Sequence, residues 1–333
     1  MAKLRVGKIP NEVLRRVVFG KLGAEDASVI LGPNIGEDAA LIRISKDIVA
    51  FKSDPITGSV DEVGMLAVYV NANDIATRGA IPKWFIQCIL LPEGSSTAVL
   101  DQICRQIDGA AKEIGVAIVG GHTEITPGIS RPIVVGSMLG IVKNERFFTS
   151  SGAEAGDLLY MTKSVGLEGT TILSSDRRIT SKFGCTFTSR CKKMIRLINV
   201  VKECMVLTDL EGVTSMHDLT EGGLLGGAWE LAEAASSGIL LDLNLVPVLE
   251  ETRLICKELG LDPYRLISSG SVIFTVRRGS ESDAKAALRG ANVGFARIGE
   301  VRTALQGRSY LDLAGVDRPL EPPSSDELWK GLA

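Results

Sequence analysis

The sequence predicts an α/β or α+β protein of two domains, each built on a largely covered sheet. Three observations carry that expectation. The chain has 333 residues, about two domains' worth at roughly 150 residues each. Apolar strands alternate with amphipathic helices along its whole length, the pattern of sheets covered by helices. The small, turn-forming segment 150–157 (Ser-Ser-Gly-Ala-Glu-Ala-Gly-Asp) interrupts that pattern near the middle, which sets domains at 1–150 and 151–333.

In the first domain, residues 39–42 and 48–51 read as two strands, the second ending at Asp54. Val63–Thr77 has helical apolar spacing and stops at Gly79. The nearly all-apolar stretch 84–91 is a strand closed by Pro92. Residues 97–114 form an amphipathic helix with Leu100, Ile103, Ile107 and Ala111 on one face and Gly115 as its stop. A strand at 116–119 runs into Gly120-Gly121-His122-Thr123-Glu124, and another spans 132–142.

The second domain opens with a strand at Leu158–Thr162 and a turn at 166–169. Helices follow around 170–175, 189–206 and 224–235, then a strand at 239–243, a helix at 249–259 and a strand at Val272–Val276. A helix at 282–289 and a strand at 295–301 complete the pattern. The tail 319–333, with its Glu-Pro-Pro-Ser-Ser-Asp run, reads as a surface segment.

Composition excludes several classes of function. Lys plus Arg number 37 against 40 Asp plus Glu, a net charge of −3, so nucleic-acid binding through a basic face is not expected. No apolar run reaches the roughly 18 residues that a membrane span needs. The first residues hold no apolar stretch before a cleavage site, which sets the expectation of a cytoplasmic protein. The six cysteines contain no C-x-x-C, so neither a zinc site nor a redox pair is indicated.

The 36 glycines gather beside acids. Gly36-Glu37-Asp38, Ser53-Asp54, Asn71-Ala72-Asn73-Asp74 and Gly120 to Glu124 recur at strand ends or along a helix. Carboxylates crowd together only where a cation or proton neutralises them, and such hard oxygen donors suit magnesium with substrate phosphates. Taken singly, Asp38 and Asp54 fit turn caps and Asp74 a solvated helix face.

Gly120-Gly121 lets backbone N–H groups approach a phosphate. Neither G-x-x-x-x-G-K-[ST] nor G-x-G-x-x-G occurs, so a nucleotide site here belongs to neither common type. Of the two histidines, His217 reads as a structural imidazole, in the core or at the surface, whereas His122 fits either a metal or phosphate contact or a structural role. Asp218 and Thr220 fit helix N-caps, with Gly222-Gly223 allowing close approach of a ligand.

These elements, in this order, resemble the AIR synthase-related (PurM-like) superfamily, over most of the chain. Gly36-Glu37-Asp38-Ala39-Ala40 is similar to its G-D-D-A-A and Ser53-Asp54 to its T-D. The string from Asn73-Asp74 to Gly79-Ala80-Ile81-Pro82 is similar to its N-D-x-A-x-x-G-A-x-P. Asp218-Leu219-Thr220-Glu221-Gly222-Gly223-Leu224 resembles the D-P-T-R-G-G-L of the hydrogenase maturation (HypE) branch, as does 255–263. The chain departs from that branch in carrying Gly121-His122-Thr123-Glu124 for G-D-T-K and Ser268-Ser269-Gly270-Ser271 for N-E-G-K. No cysteine follows Cys256, so a self-carried substrate is not expected.

The resemblance implies a homodimer whose N-terminal domains share a barrel-like sheet, with an α/β sandwich as the C-terminal domain. It implies ATP and Mg²⁺ as cofactors, with the metal on Asp38, Asp54 and Asp74. Gly36, Glu37, Asp54, Asn71, Asn73, Gly120, Gly121 and Thr123 would line the nucleotide site, and His122, Glu124, Asp218 and Glu221 would serve catalysis. The implied activity is a HypE-like, ATP- and magnesium-dependent activation of an amide or small-molecule oxygen, its substrate small or carrier-bound and its partner a maturation protein. The alternatives are a catalytically silent, nucleotide-binding paralogue within a maturation or biosynthetic complex, and a small-molecule kinase of the thiamine-monophosphate kinase type.

Overall fold

A computed structural model of the chain describes residues 6–58, 61–323 and 325–333. Its strands form two sheets. The first contains β1 (Val29–Leu31), β2 (Ala40–Ile44), β3 (Asp47–Ile56), β4 (Ala80–Pro92), β5 (Ala117–Thr126) and β6 (Ile133–Val142), in the order β1-β2-β3-β6-β4-β5. Only the β4–β5 pair is parallel. Helices α1 (Asn11–Val13), α2 (Val63–Thr77) and α3 (Thr97–Glu113) belong to this half.

The second sheet contains β7 (Leu158–Thr162), β8 (Val213–Asp218), β9 (Gly238–Asp242), β10 (Val272–Val276), β11 (Phe295–Arg302), β12 (Arg308–Leu311) and β13 (Asp317–Pro319). Their order is β13-β12-β9-β11-β7-β10-β8. Its helices are α4 (Leu167–Leu173), α5 (Arg177–Lys193), α6 (Val201–Thr208), α7 (Gly223–Ala234), α8 (Glu250–Leu259), α9 (Glu281–Gly290) and α10 (Glu327–Gly331). β7 and β10 are buried along their whole length, which is why they read as unbroken apolar runs. The two-domain α/β expectation holds.

Helix α2 positions the site. Fourteen of its fifteen residues are buried, because it lies between the first sheet and the second half of the chain. Two glycines of β6 let it sit directly on the sheet. A Cβ at Gly140 would stand 2.3 Å from Ile75 Cγ2, and one at Gly136 would stand 2.5 Å from Asn71 Nδ2. On its other side Asn73 donates to the Ile198 carbonyl (2.8 Å) and accepts from Val200 N (2.9 Å). The reading of Asp74 as a solvated residue is therefore overturned: it faces the packed interior at 2% exposure.

Other expectations also change. β3 continues through Asp54 to Ile56, so Asp54 sits within a strand paired with Gly136 of β6, and not at a strand end. Gly120 to Glu124 lie inside β5, in register with β4, so the diglycine is extended strand and not a phosphate loop. β8 was not anticipated, although it ends on His217 and Asp218. The tail is not a mere surface segment. Asp326 and Leu328 are buried, and Asp326 accepts from the backbone N–H groups of Gly222 (2.6 Å), Ile267 (3.1 Å) and Leu328 (2.7 Å).

Candidate functional site

The site forms where the loop before β2, strand β3, helix α2 and the end of β8 converge. Gly36, at φ +77°, allows that loop to press against α7, since a Cβ there would stand 2.3 Å from the Glu230 carbonyl oxygen. The loop delivers Glu37 and Asp38 to Arg78, which is fully buried at the end of α2. Arg78 donates to Glu37 and to Asp38 Oδ2 (2.7 Å), and also to the Met216 carbonyl (3.2 Å) and Ser150 Oγ (3.3 Å). Glu37 further accepts from the N–H groups of Ser150 (3.0 Å) and Ser151 (3.2 Å). One arginine thus ties the first half of the chain to the connection and to β8.

Asp38, Asp74 and Asp218 are all buried and bring one carboxylate oxygen each within 4.8 Å of one another. This differs from the expected triad, in which Asp54 was the third carboxylate. Asp54 stands to one side, partly exposed, and Lys52 bridges it to the cluster at 3.3 Å from Asp54 Oδ2 and 3.2 Å from Asp74 Oδ2. Asp218, expected as a catalytic group, takes the third position because β8 runs beside β10 and ends against α2.

Electrostatics divide the three acids. His217 Nδ1 lies 2.5 Å from Asp38 Oδ1, and its Nε2 lies 3.5 Å from Glu230. Burial alone would lower the His217 pKa, but Asp38 and then Glu230 outweigh it and raise it to about 10. Burial likewise works against ionised Asp38, yet His217 and Arg78 hold its carboxyl below the usual range. Asp74 moves the other way. Burial, with the charges of Asp218, Asp54 and Asp38, pushes it well up against the opposing pull of Lys52. Burial and Asp38 raise Asp218 to about 7.

Among the described residues Asp74 Oδ2 and Asp218 Oδ2 are buried without a hydrogen-bond partner, Asp74 Oδ2 having only its ion pair with Lys52 at 3.2 Å. Three buried oxygen donors, two with orphaned atoms, fit a hard divalent cation such as Mg²⁺.

Next to this cluster is a cavity of ≈ 390 Å³, lined by Asp54, Lys8, Thr220, Glu221, Glu168 and Trp329 together with apolar side chains. Glu221 accepts from Trp329 Nε1 at 3.3 Å. Lys8 donates to Thr220 Oγ1 (3.3 Å) and Glu230 (3.4 Å). The side-chain amides of Asn71 and Asn73, expected at the nucleotide, are committed to the backbone. Asn71 accepts from Asp54 N (2.9 Å) and donates to Asp54 O (3.3 Å) and Ala67 O (2.9 Å), so it fixes the strand that carries Asp54.

His122 and Glu124 are exposed on β5 and pair with each other at 3.0 Å. Neither they nor Gly120, Gly121 and Thr123 line the cavity. The structure therefore brings together Gly36, Glu37, Asp38, Asp54, Asp74, Asp218 and Glu221, and leaves the β5 group apart.

Sequence reading missed Lys52, Arg78, Glu168, Glu230 and Trp329. Lys52 was detectable, since residues two apart on a strand share a face and Lys52 precedes Asp54 by two. Glu168 and Trp329 gave no such signal, because they meet the site only through packing of α4 and α10.

Residues 36–142 match the AIR synthase related protein N-terminal domain, and residues 154–311 match the C-terminal domain of the same family. A putative hydrogenase expression/formation protein of Methanocaldococcus jannaschii is 29% identical over 277 residues, covering 82% of this chain and 81% of its own. The carbamoyl dehydratase HypE of Cupriavidus necator is 30% identical over 244 residues, covering 72% of this chain and 68% of its own.

Among solved structures, a HypE–HypF complex superposes with a TM-score of 0.73 at 22% identity, covering 86% of this chain and 93% of that one. HypE in complex with ATP gives 0.71 at 24%, covering 95% and 93%. The chain belongs to the AIR synthase-related family, and its fold is the two-domain PurM-like one.

Proposed function

We propose that this chain is an ATP- and Mg²⁺-dependent enzyme that activates an amide or small-molecule oxygen by phosphoryl transfer, in the manner of its HypE-like relatives. The observation that carries this reading is the buried carboxylate cluster of Asp38, Asp74 and Asp218, with two orphaned oxygens, beside a cavity that Asp54 lines. Relatives named carbamoyl dehydratase, and the ATP complex of a protein of the same fold, support it.

Asp38, Asp74 and Asp218 would hold the cation, with Asp54 at the cavity side. Bound there, a divalent cation supplies charge neutralisation for a phosphoryl group in transfer. Lys52 adds a cation that burial would discharge, but Asp74 and Asp54 keep it protonated. Arg78 and His217 hold Asp38 ionised and fixed, so that its donor atom is ready without reorganisation.

The active form in this reading is a homodimer built through β4 and β5, and a maturation protein is the expected partner, since a relative of this fold is found in a HypE–HypF complex. Among the described residues no helix is long and apolar enough to cross a membrane, in keeping with a cytoplasmic setting.

The test is calorimetric titration of Mg-ATP into the wild type and into Asp74→Asn, with ADP release followed in the same samples. The variant removes one of the three cluster carboxylates. The reading expects saturable binding by the wild type and at least a tenfold loss of affinity in Asp74→Asn, confined to titrations containing Mg²⁺. Equal affinities with and without the metal would show that the cluster serves no nucleotide.

A further inference from the structure

The cavity contains a charge that the nucleotide reading does not use. Glu168, on α4, is 95% buried (5% exposed), and among the described residues its Oε2 has no hydrogen-bond partner. Ser269 beside it only partly offsets the cost of burial, whereas Asp326, Glu221 and Asp218 all add negative potential. Among the described residues the nearby cations have carboxylate or hydroxyl partners elsewhere: Lys8 has Thr220 and Glu230, and Lys52 has Asp54 and Asp74. Glu221 contributes a second carboxylate on the same wall, near the charge of Lys8, and among the described residues its side-chain donor is the indole N–H of Trp329. Ile56, Val70, Ile172 and Leu328 supply apolar surface around them.

An unpartnered buried carboxylate beside an indole and a second acid is an arrangement that rewards a cation. The carboxylates supply charge-assisted hydrogen bonds, and an aromatic face supplies cation–π attraction. At ≈ 390 Å³ the cavity falls in the range of small-molecule sites, with a mostly apolar lining and a few convergent polar groups.

We propose that this cavity is the acceptor subsite, and that it takes a small molecule carrying a nitrogen cation, which Glu168 and Glu221 receive and Trp329 covers. The inference rests on the ATP-dependent reading for the word acceptor, but the cation selectivity stands on the cavity alone. Glu168 binds and orients in this scheme, and it fixes which class of substrate enters.

The subsite is tested without knowing the natural acceptor. Protein labelled with 5-fluorotryptophan gives three fluorine resonances, one per tryptophan, and Trp329→Phe assigns the one in the cavity. Titration at pH 8 with n-butylammonium, and separately with n-butyrate, then reads the charge preference directly. The proposal expects n-butylammonium to shift the Trp329 signal saturably, n-butyrate to leave it in place, and Glu168→Gln to weaken n-butylammonium binding at least tenfold. It is overturned if n-butyrate shifts the signal as strongly, if neither compound shifts it, or if Glu168→Gln binds n-butylammonium like the wild type. Should Glu168→Gln lose its dispersed fluorine spectrum, Glu221→Gln decides instead: weakening of threefold or more supports the subsite, and unchanged affinity overturns it. Mg-ATP titration of the same wild-type sample separates the two readings, since absent ATP binding removes the proposed function while the fluorine data still judge the cation subsite.

Discussion

Arg78 is the residue on which the site's geometry depends. It is fully buried and paired with Glu37 and Asp38, both themselves buried at the side chain. Removing one partner of such a group strands the others in low dielectric, so Arg78→Met is expected to cost about 3–5 kcal/mol of stability. Urea unfolding measures it, and a loss under about 1 kcal/mol would mean that water reaches Glu37 and Asp38. Glu168 makes a contrasting prediction. Burial, only partly relieved by Ser269, raises its pKa from 4.5 to about 7. An acid whose folded pKa is raised contributes stability that is fully present below its unfolded pKa and is lost as pH rises through the folded value. Glu168 therefore weakens the fold progressively between about pH 4.5 and 7. Glu168→Gln should remove that slope and be more stable than the wild type at pH 8, by about 3 kcal/mol. Thermal melts of both proteins at pH 5 and pH 8 check this, and parallel pH profiles would refute it.

At the scale of elements, periodicity made part of the fold legible and contact between distant segments concealed the rest. Val63–Thr77, Leu158–Thr162 and Val272–Val276 were read with their observed bounds, because each buries a continuous apolar surface that the sequence displays directly. β8 escaped because Val-Thr-Ser-Met-His-Asp mixes polar residues into a strand that is nevertheless mostly buried. Thr214 is satisfied across the chain by Asp157 and Thr275 and His217 pairs with Asp38, while Asp218 Oδ2 is left for the site. The site shows the same division. Asp38 and Asp74 stood out among the acids gathered at turns and along the helix, and Asp218 through its Asp-Leu-Thr-Glu-Gly-Gly string, while the place of Asp218 in the cluster depends on how β8 meets α2, which no local pattern encodes. The glycines of β6 make that docking testable. Gly140→Ala would drive a methyl into Ile75 and the Ile81 carbonyl, at an expected cost of about 1–3 kcal/mol. Gly294→Ala, with nothing within 4 Å of its Cβ, should stay within about 0.5 kcal/mol of the wild type. If both substitutions cost the same in urea unfolding, the close seating of α2 on β6 is not what holds the helix.

For the molecule as a whole, the first sheet leaves one problem unsolved within a single chain. β5 is an edge strand whose residues are almost all exposed, and Ile118, Val119 and Ile125 on it join Trp84 and Ile86 of β4 in presenting apolar side chains outward. Exposed edges of this length are normally paired, covered or blunted with charge, because they template association. Here the charge on β5 is confined to His122 and Glu124, which neutralise each other as a pair when the imidazole is protonated. A second copy of the chain, offering the same strands, would cover this surface by two-fold symmetry and extend the sheet toward the barrel expected of the family. It would also give His122, Glu124 and the diglycine a setting that one chain does not provide. Trp84→Glu with Ile86→Lys places two charges on that face without touching the core side of β4, where Phe85 and Ile89 pack. Light scattering is expected to report a dimer for the wild type and a folded monomer for the double variant. A wild type that is monomeric at micromolar concentration would end the shared-sheet proposal and return the β5 residues to the surface of a self-sufficient subunit.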